Sequence, residues 1–161
     1  MFARPITTAT TGLRLNLGCS DAHMAGYVNV DRCQPADIIA DLSKRWPWDD
    51  SSVPAIKAWD IFEHLPDIRH TMNEAYRVLE PNGELDLMVP TTDGRGAFQD
   101  PTHVSYWNEN TLFYFVDSCA EWQRFHVAYN ITARFRVRLQ EHREYPGRVW
   151  KLHAVLKPVK L

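Results

Sequence analysis

The sequence predicts an α/β fold built on a mostly parallel sheet that ends in an antiparallel hairpin. Three observations carry that expectation. Strand-like runs and an amphipathic helical stretch alternate as far as Pro90. Two early runs, LRLNLGCS (Leu13–Ser20) and YVNVD (Tyr27–Asp31), end near Gly18 and in Asp31. A glycine and then an acid at strand ends is how doubly wound sheets hold a nucleoside, the carboxylate accepting from the ribose hydroxyls. Finally, the C-terminal third alternates with the period of a half-buried strand.

The elements follow in order. Leu13–Ser20 and Tyr27–Asp31 are the first two strands, yet Cys19–Gly26 between them can hold one helical turn at most. Parallel strands normally need a crossover of about a dozen residues or more, so either the first crossover helix is abbreviated or these two runs are not adjacent parallel strands. Gly18 and Asp31 lie closer together than the roughly 20 residues of a dinucleotide fingerprint, and Ser20 and His23 occupy its later glycine positions. A ligand without a pyrophosphate suits this loop better. Asp37–Leu42 reads as a short strand containing Asp41, and Ala55–Phe62 as another, with Glu63 and His64 at its end. A helix follows Asp67, its N-cap, with Ile68, Met72, Ala75, Tyr76 and Leu79 on one face. Pro81, Asn82 and Gly83 turn the chain into the strand Glu84–Pro90. A loop containing Gly94 and Gly96 leads through DPTHVSYW to a helix around Asn110–Val116. Every odd position from Phe125 to Leu139 is apolar, which predicts one long strand. Trp150, Leu152, Ala154 and Leu156 repeat the pattern after Pro146-Gly147, which predicts a hairpin. Arg134, Arg136 and Arg138, with Lys151, His153 and Lys157, are expected on its outer face.

The bounds are those of an ordinary globular chain. The 161 residues fit a single domain, with 1–11 a flexible lead-in. A net charge of −2 gives no reason to expect nucleic acid as a partner. Three widely spaced cysteines and no apolar leader point to a cytoplasmic protein, and no apolar run is long enough to span a membrane.

LNLGCS…YVNVD, DIFEHLPD (Asp60–Asp67) and EAYRVLEPNGELDLMVP (Glu74–Pro90) together resemble class I S-adenosylmethionine-dependent methyltransferases, in the small branch related to the ubiquinone and menaquinone enzymes. The resemblance covers Leu13–Pro90. It implies a Rossmann-like, seven-stranded sheet and S-adenosylmethionine as cofactor. Gly18, with Cys19 and Ser20 in the same loop, would pass under the methionine part. Asp31 would take the ribose hydroxyls, Asp41 and Leu42 would meet the adenine edge, and Asp60 through His64 would line the methyl-donor side. Two features depart from the family pattern: Ser20 stands where a second glycine is usual, and the first crossover helix is nearly absent.

The implied reaction is a direct displacement on a sulfonium methyl, passing it to a small-molecule acceptor. The leaving group is already activated, so the protein supplies alignment and desolvation, and a base only where the nucleophile carries a proton. His103, oriented by Asp100, and His64 are the candidate bases. Each has a plainer reading as a hydrogen-bonding loop residue. The glycines suggest that Thr91–Trp107 is a hinged lid. Asp100 and His103 alone make no metal cluster, so no metal is expected. Asp41 reads equally well as a turn cap. The basic hairpin face is either a solvated edge or a dock for an anionic acceptor such as a phosphorylated sugar. The departures at Ser20 and the first crossover favour one alternative, a non-catalytic relative serving as a binding or scaffold module. A nicotinamide-dependent oxidoreductase is a weaker one, for want of a phosphate loop.

Overall fold

In the computed structural model, which describes residues 12–160, the strands form one seven-stranded sheet. They are β1 (Arg14–Leu17), β2 (Val28–Asp31), β3 (Ile38–Ile39), β4 (Val53–Trp59), β5 (Leu79–Pro90), β6 (Phe135–Tyr145) and β7 (Val149–Pro158), in the order β3-β2-β1-β4-β5-β7-β6. The first five pair in parallel, and β7 runs antiparallel between β5 and β6. The expected sheet and hairpin are both present. The chain moves outward from β1 through β2 and β3, then returns to the other side of β1 with β4, which makes β1/β4 the switch point. Such sheets bind ligands at that point, beyond the carboxyl ends of the strands.

The first crossover has no helix at all. Two asparagines hold it instead. Asn16 and Asn29 are register partners on adjacent strands, and Asn16 Nδ2 donates to Asn29 Oδ1 at 2.9 Å. Asn16 Nδ2 also donates to the Ala22 carbonyl, and Asn29 Oδ1 accepts from the Met24 N–H. Asp37 accepts from both the backbone and the side-chain amide of Asn29, which draws the carboxyl well below the usual carboxylate range. Buried amides thus satisfy loop backbone that a helix would otherwise satisfy internally.

Helix α1 (Ile68–Val78) crosses from β4 to β5. Asp67 caps it as expected, Oδ1 accepting from the N–H groups of Arg69 and His70. Met72, Ala75 and Val78 are fully buried. Glu74 and Arg77 hold the helix-free stretch before β4: Glu74 Oε2 accepts the Trp46 N–H at 2.7 Å, and Arg77 donates to the Trp46 and Trp48 carbonyls. Trp46 contacts Trp48 and Phe62, and Phe62 contacts Trp107, with ring centroids 6.1–6.5 Å apart along this chain of aromatics. These tryptophans are core.

Three expectations are corrected. The alternation from Phe125 to Leu139 is not one strand, since Ala120–Phe125 is helix α3 and β6 begins at Phe135. Phe125 and Tyr129 stack at 5.1 Å across a helical i, i+4 spacing, which an every-second-residue pattern also contains. Asn110–Val116 is a tighter 3-10 turn, Glu109–Tyr114. The hairpin is not a free basic face either. Arg134 and Arg136 flank Asp117, Arg138 and Lys157 share Glu84, Lys151 meets Asp60, and His153 meets Asp86. A register shift between Val137 and Leu139 breaks the side-to-side alternation on which the expectation rested. The expected lead-in, 1–11, lies outside the described residues. Among the described residues no helix is long and apolar enough to cross a membrane.

Candidate active site

A cleft of about 790 Å³ opens at the carboxyl ends of the parallel strands. Its wall brings together Gly18 and Ser20 after β1, Asp31 ending β2, Ala40 to Ser43 after β3, and Asp60, Ile61 and His64 after β4. Of the residues expected to meet a cofactor, Gly18, Ser20, Asp31, Asp41, Leu42 and Asp60 all line it. Cys19 does not. Its side chain is buried, and burial pushes its thiol pKa up.

Gly18 has φ 66°, and a Cβ there would lie 2.6 Å from both Cβ and Cγ1 of Ile61. The space a side chain would need is filled by the opposite wall of the cleft. Ser20, one of the departures from the family pattern, adopts φ 43° and so keeps a glycine-like backbone. Its N–H donates to Asp31 Oδ2 at 3.0 Å, while Asp31 Oδ1 accepts from the Arg32 N–H at 2.7 Å. Each carboxylate oxygen keeps further acceptor capacity for ligand hydroxyls. Asp60 is also left-handed, at φ 53°, and Lys151 donates to its Oδ2 at 2.5 Å. Among the described residues, two of the five non-glycine residues with positive φ therefore line this one cleft. Such strain, of order 1–3 kcal/mol per residue, clusters at functional sites. Asp41 caps its turn through the Ser43 hydroxyl and N–H, which lower its pKa, so the plainer reading also holds.

The candidate bases separate. His64 lines the cleft, whereas the side chain of His103 is only 8% exposed and sits behind it, ring against ring at 4.7 Å. Asp100 does not orient His103, because Asp100 Oδ2 lies 3.8 Å from Nε2, too far for a hydrogen bond. The Ala97 carbonyl does so, accepting from His103 Nδ1 at 3.0 Å. Asp100 instead accepts from the N–H and hydroxyl of Thr102, which lower its pKa. A Cβ on Gly94 would meet the Arg148 carbonyl at 2.6 Å and one on Gly96 the Val149 Cγ1 at 2.7 Å, so both glycines serve close packing against β7. The Val104 and Ser105 N–H groups donate to the Glu63 carbonyl, tying the loop to the 3-10 turn Phe62–His64.

Sequence reasoning placed Glu63 within the run Asp60 to His64 but gave it no role of its own. It is 2% exposed, burial pushes its pKa up to about 8, and its Oε2 has no hydrogen-bond partner among the described residues. One donor atom each from Glu63, His64 and His103 lies within 4.8 Å of the others, a cluster that the pair Asp100 and His103 did not suggest. The available signal was Glu63-His64 directly after a strand.

Residues 15–86 match the family model described as a methyltransferase domain. Solved structures extend the likeness over nearly the whole chain. A SAM-dependent methyltransferase from Methanosarcina mazei is 14% identical with a TM-score of 0.63, covering 93% of both chains. One from Archaeoglobus fulgidus is 12% identical with a TM-score of 0.60, covering 92% of this chain and 88% of its own. The 1,6-didemethyltoxoflavin-N1-methyltransferase of Burkholderia thailandensis, solved with 1,6-didemethyltoxoflavin and S-adenosylhomocysteine, is 13% identical with a TM-score of 0.63, covering 92% and 71%. At these identities the likeness is one of fold. No curated protein gives a significant match. The matched segment spans β1 to the middle of β5 and includes every strand end that borders the cleft.

Proposed function

We propose that the chain transfers a methyl group from S-adenosylmethionine to a small-molecule acceptor by direct displacement. One observation carries this reading: the cleft at the switch point gathers Gly18, Ser20, Asp31, Asp41, Leu42, Asp60 and His64 from four successive strand ends of the matched segment. Residues of these types fit a nucleoside with an amino-acid tail. Asp31 accepts from the two ribose hydroxyls, Leu42 covers the adenine edge beside Asp41, and the Gly18–Ser20 backbone runs under the methionine part. The sulfonium supplies an activated methyl and a neutral leaving group. The protein's own work is to align the acceptor and exclude water. His64 stands on the cleft wall, on the side where an acceptor would approach the methyl.

Thermal unfolding with S-adenosylmethionine, S-adenosylhomocysteine and NAD tests the reading. A ligand at about 100 times its Kd stabilises by about 2.7 kcal/mol. The two sulfur nucleosides should raise Tm and NAD should not. A rise with NAD alone overturns the proposal.

A further inference from the structure

The cleft's back wall holds a cluster that cofactor binding leaves unused. Glu63 is among the most deeply buried polar residues in the structure, and its Oε2 has no partner among the described residues. A buried, unpaired carboxyl oxygen carries a desolvation penalty that something must offset. His103 Nε2 lies 3.9 Å from Oε1, and the His64 ring stands edge-on to that imidazole, ring centroids 4.7 Å apart.

The hydrogen bonds behind the two imidazoles fix their tautomers. The Ala97 carbonyl can only accept, so His103 Nδ1 carries its hydrogen and Nε2 keeps its lone pair. The Thr102 hydroxyl gives its one hydrogen to Asp100 Oδ1 at 2.7 Å. Its oxygen, 3.1 Å from His64 Nδ1, is therefore an acceptor, and His64 Nε2 also keeps its lone pair. Imidazoles that donate one N–H to a carbonyl or to a hydroxyl backed by a carboxylate, leaving the other nitrogen bare, are arranged as metal ligands are.

From this arrangement we propose that Glu63, His64 and His103 bind a divalent transition-metal ion of the zinc class, with an open position toward the cleft. Two imidazoles and one carboxylate favour zinc, cobalt, manganese or ferrous iron over magnesium or calcium, which take all-oxygen sites. Donor atoms sharing one such ion, each about 2.0–2.2 Å from it, stand about 3.5 Å apart. The three here already fall within 4.8 Å, so small side-chain rotations complete the set. The ion would meet the orphaned Oε2 and would keep the Glu63 carboxylate ionised.

The consequence for chemistry rests on the proposed methyl transfer. An acceptor hydroxyl taking the open position loses its proton to solvent more readily, because the ion stabilises the oxyanion. The oxygen then forms its bond to the sulfonium methyl as the carbon–sulfur bond breaks, and that electron pair stays on sulfur as S-adenosylhomocysteine leaves. The acceptor class is thus an alcohol or phenol.

The test uses the full chain stripped with a chelator and titrated with Co2+, followed by visible absorption and calorimetry. One equivalent should bind with the bands of a low-symmetry nitrogen–oxygen site, and Zn2+ should displace it. Glu63→Gln and His103→Ala should each weaken binding at least tenfold, and Thr102→Val, which removes the hydroxyl between His64 and Asp100 but no ligand atom, about 10- to 100-fold. S-adenosylhomocysteine affinity in chelator should match wild type for Thr102→Val, which separates failure here from failure of the cofactor reading. Absence of Co2+ binding in wild type overturns the proposal. Binding unchanged in all three variants overturns it too, by moving the ion to another site. Should either buried variant fail to fold, the partly exposed Thr102→Val decides alone.

Discussion

Replacing Gly18 by alanine perturbs the wall between cleft and core at one atom. The added Cβ would sit 2.6 Å from Ile61 Cβ and Cγ1 and 2.8 Å from Cδ1, inside any permitted contact. Two effects add. Holding an L-residue at φ 66° costs roughly 1–2 kcal/mol, and one extra methyl in a filled site costs typically 1–3 kcal/mol. Gly18→Ala should therefore lose about 2–5 kcal/mol of stability, read as a lowered urea midpoint at constant slope. Ile61→Ala removes the Cγ1 and Cδ1 overlaps but leaves the Cβ overlap. The double variant should then be more stable than the sum of the single losses implies, by about 0.5–3 kcal/mol. A Gly18→Ala midpoint equal to wild type, or strictly additive single losses, refutes the claim that Ile61 makes this glycine necessary.

Glu63→Gln tests the buried acid in metal-free protein. The folded pKa of about 8 lies above the ordinary value of 4.5, so the neutral acid stabilises the fold fully below about pH 4.5, and that stability is lost as pH rises toward 8. Wild type should lose up to about 1.4 kcal/mol per pH unit relative to Glu63→Gln across about pH 5–7.5, and parallel urea curves for the two proteins contradict this. Asp67→Ala should cost about 1 kcal/mol through loss of the cap on α1, measured by the same unfolding curves, and no loss would show that the Arg69 and His70 amides find other partners. With a hydroxyl acceptor, His64→Ala should lower turnover roughly 10²-fold while S-adenosylhomocysteine affinity stays within about twofold. Full turnover in that variant would show that a hydroxyl acceptor does not need His64.

How much was legible in the sequence differs by element. The strand-glycine and strand-acid pair placed Gly18 and Asp31 in one cleft, because strand ends of a parallel sheet converge whatever lies between them. Asp67 and the apolar face of α1 were legible for a local reason: capping and periodicity act within one helix. The stretch from Phe125 to Leu139 was not, because a spacing of four satisfies both a strand and a helical turn. The ordering of His64 and His103 was hidden because it depends on Ala97, Thr102 and Glu63, which only the tertiary fold brings beside them. Ser20 shows the limit of a motif. The backbone keeps the left-handed turn without the glycine, and the Asp31 carboxylate holds its amide there.

Calorimetric titration of S-adenosylhomocysteine against wild type and Asp31→Ala bears most directly on the central claim. Wild type should bind one equivalent. The variant should bind it about 10- to 150-fold more weakly, the effect of losing charged hydrogen bonds of about 1.5–3 kcal/mol. No heat with wild type, or equal affinity for the two proteins, contradicts the assignment of this cleft.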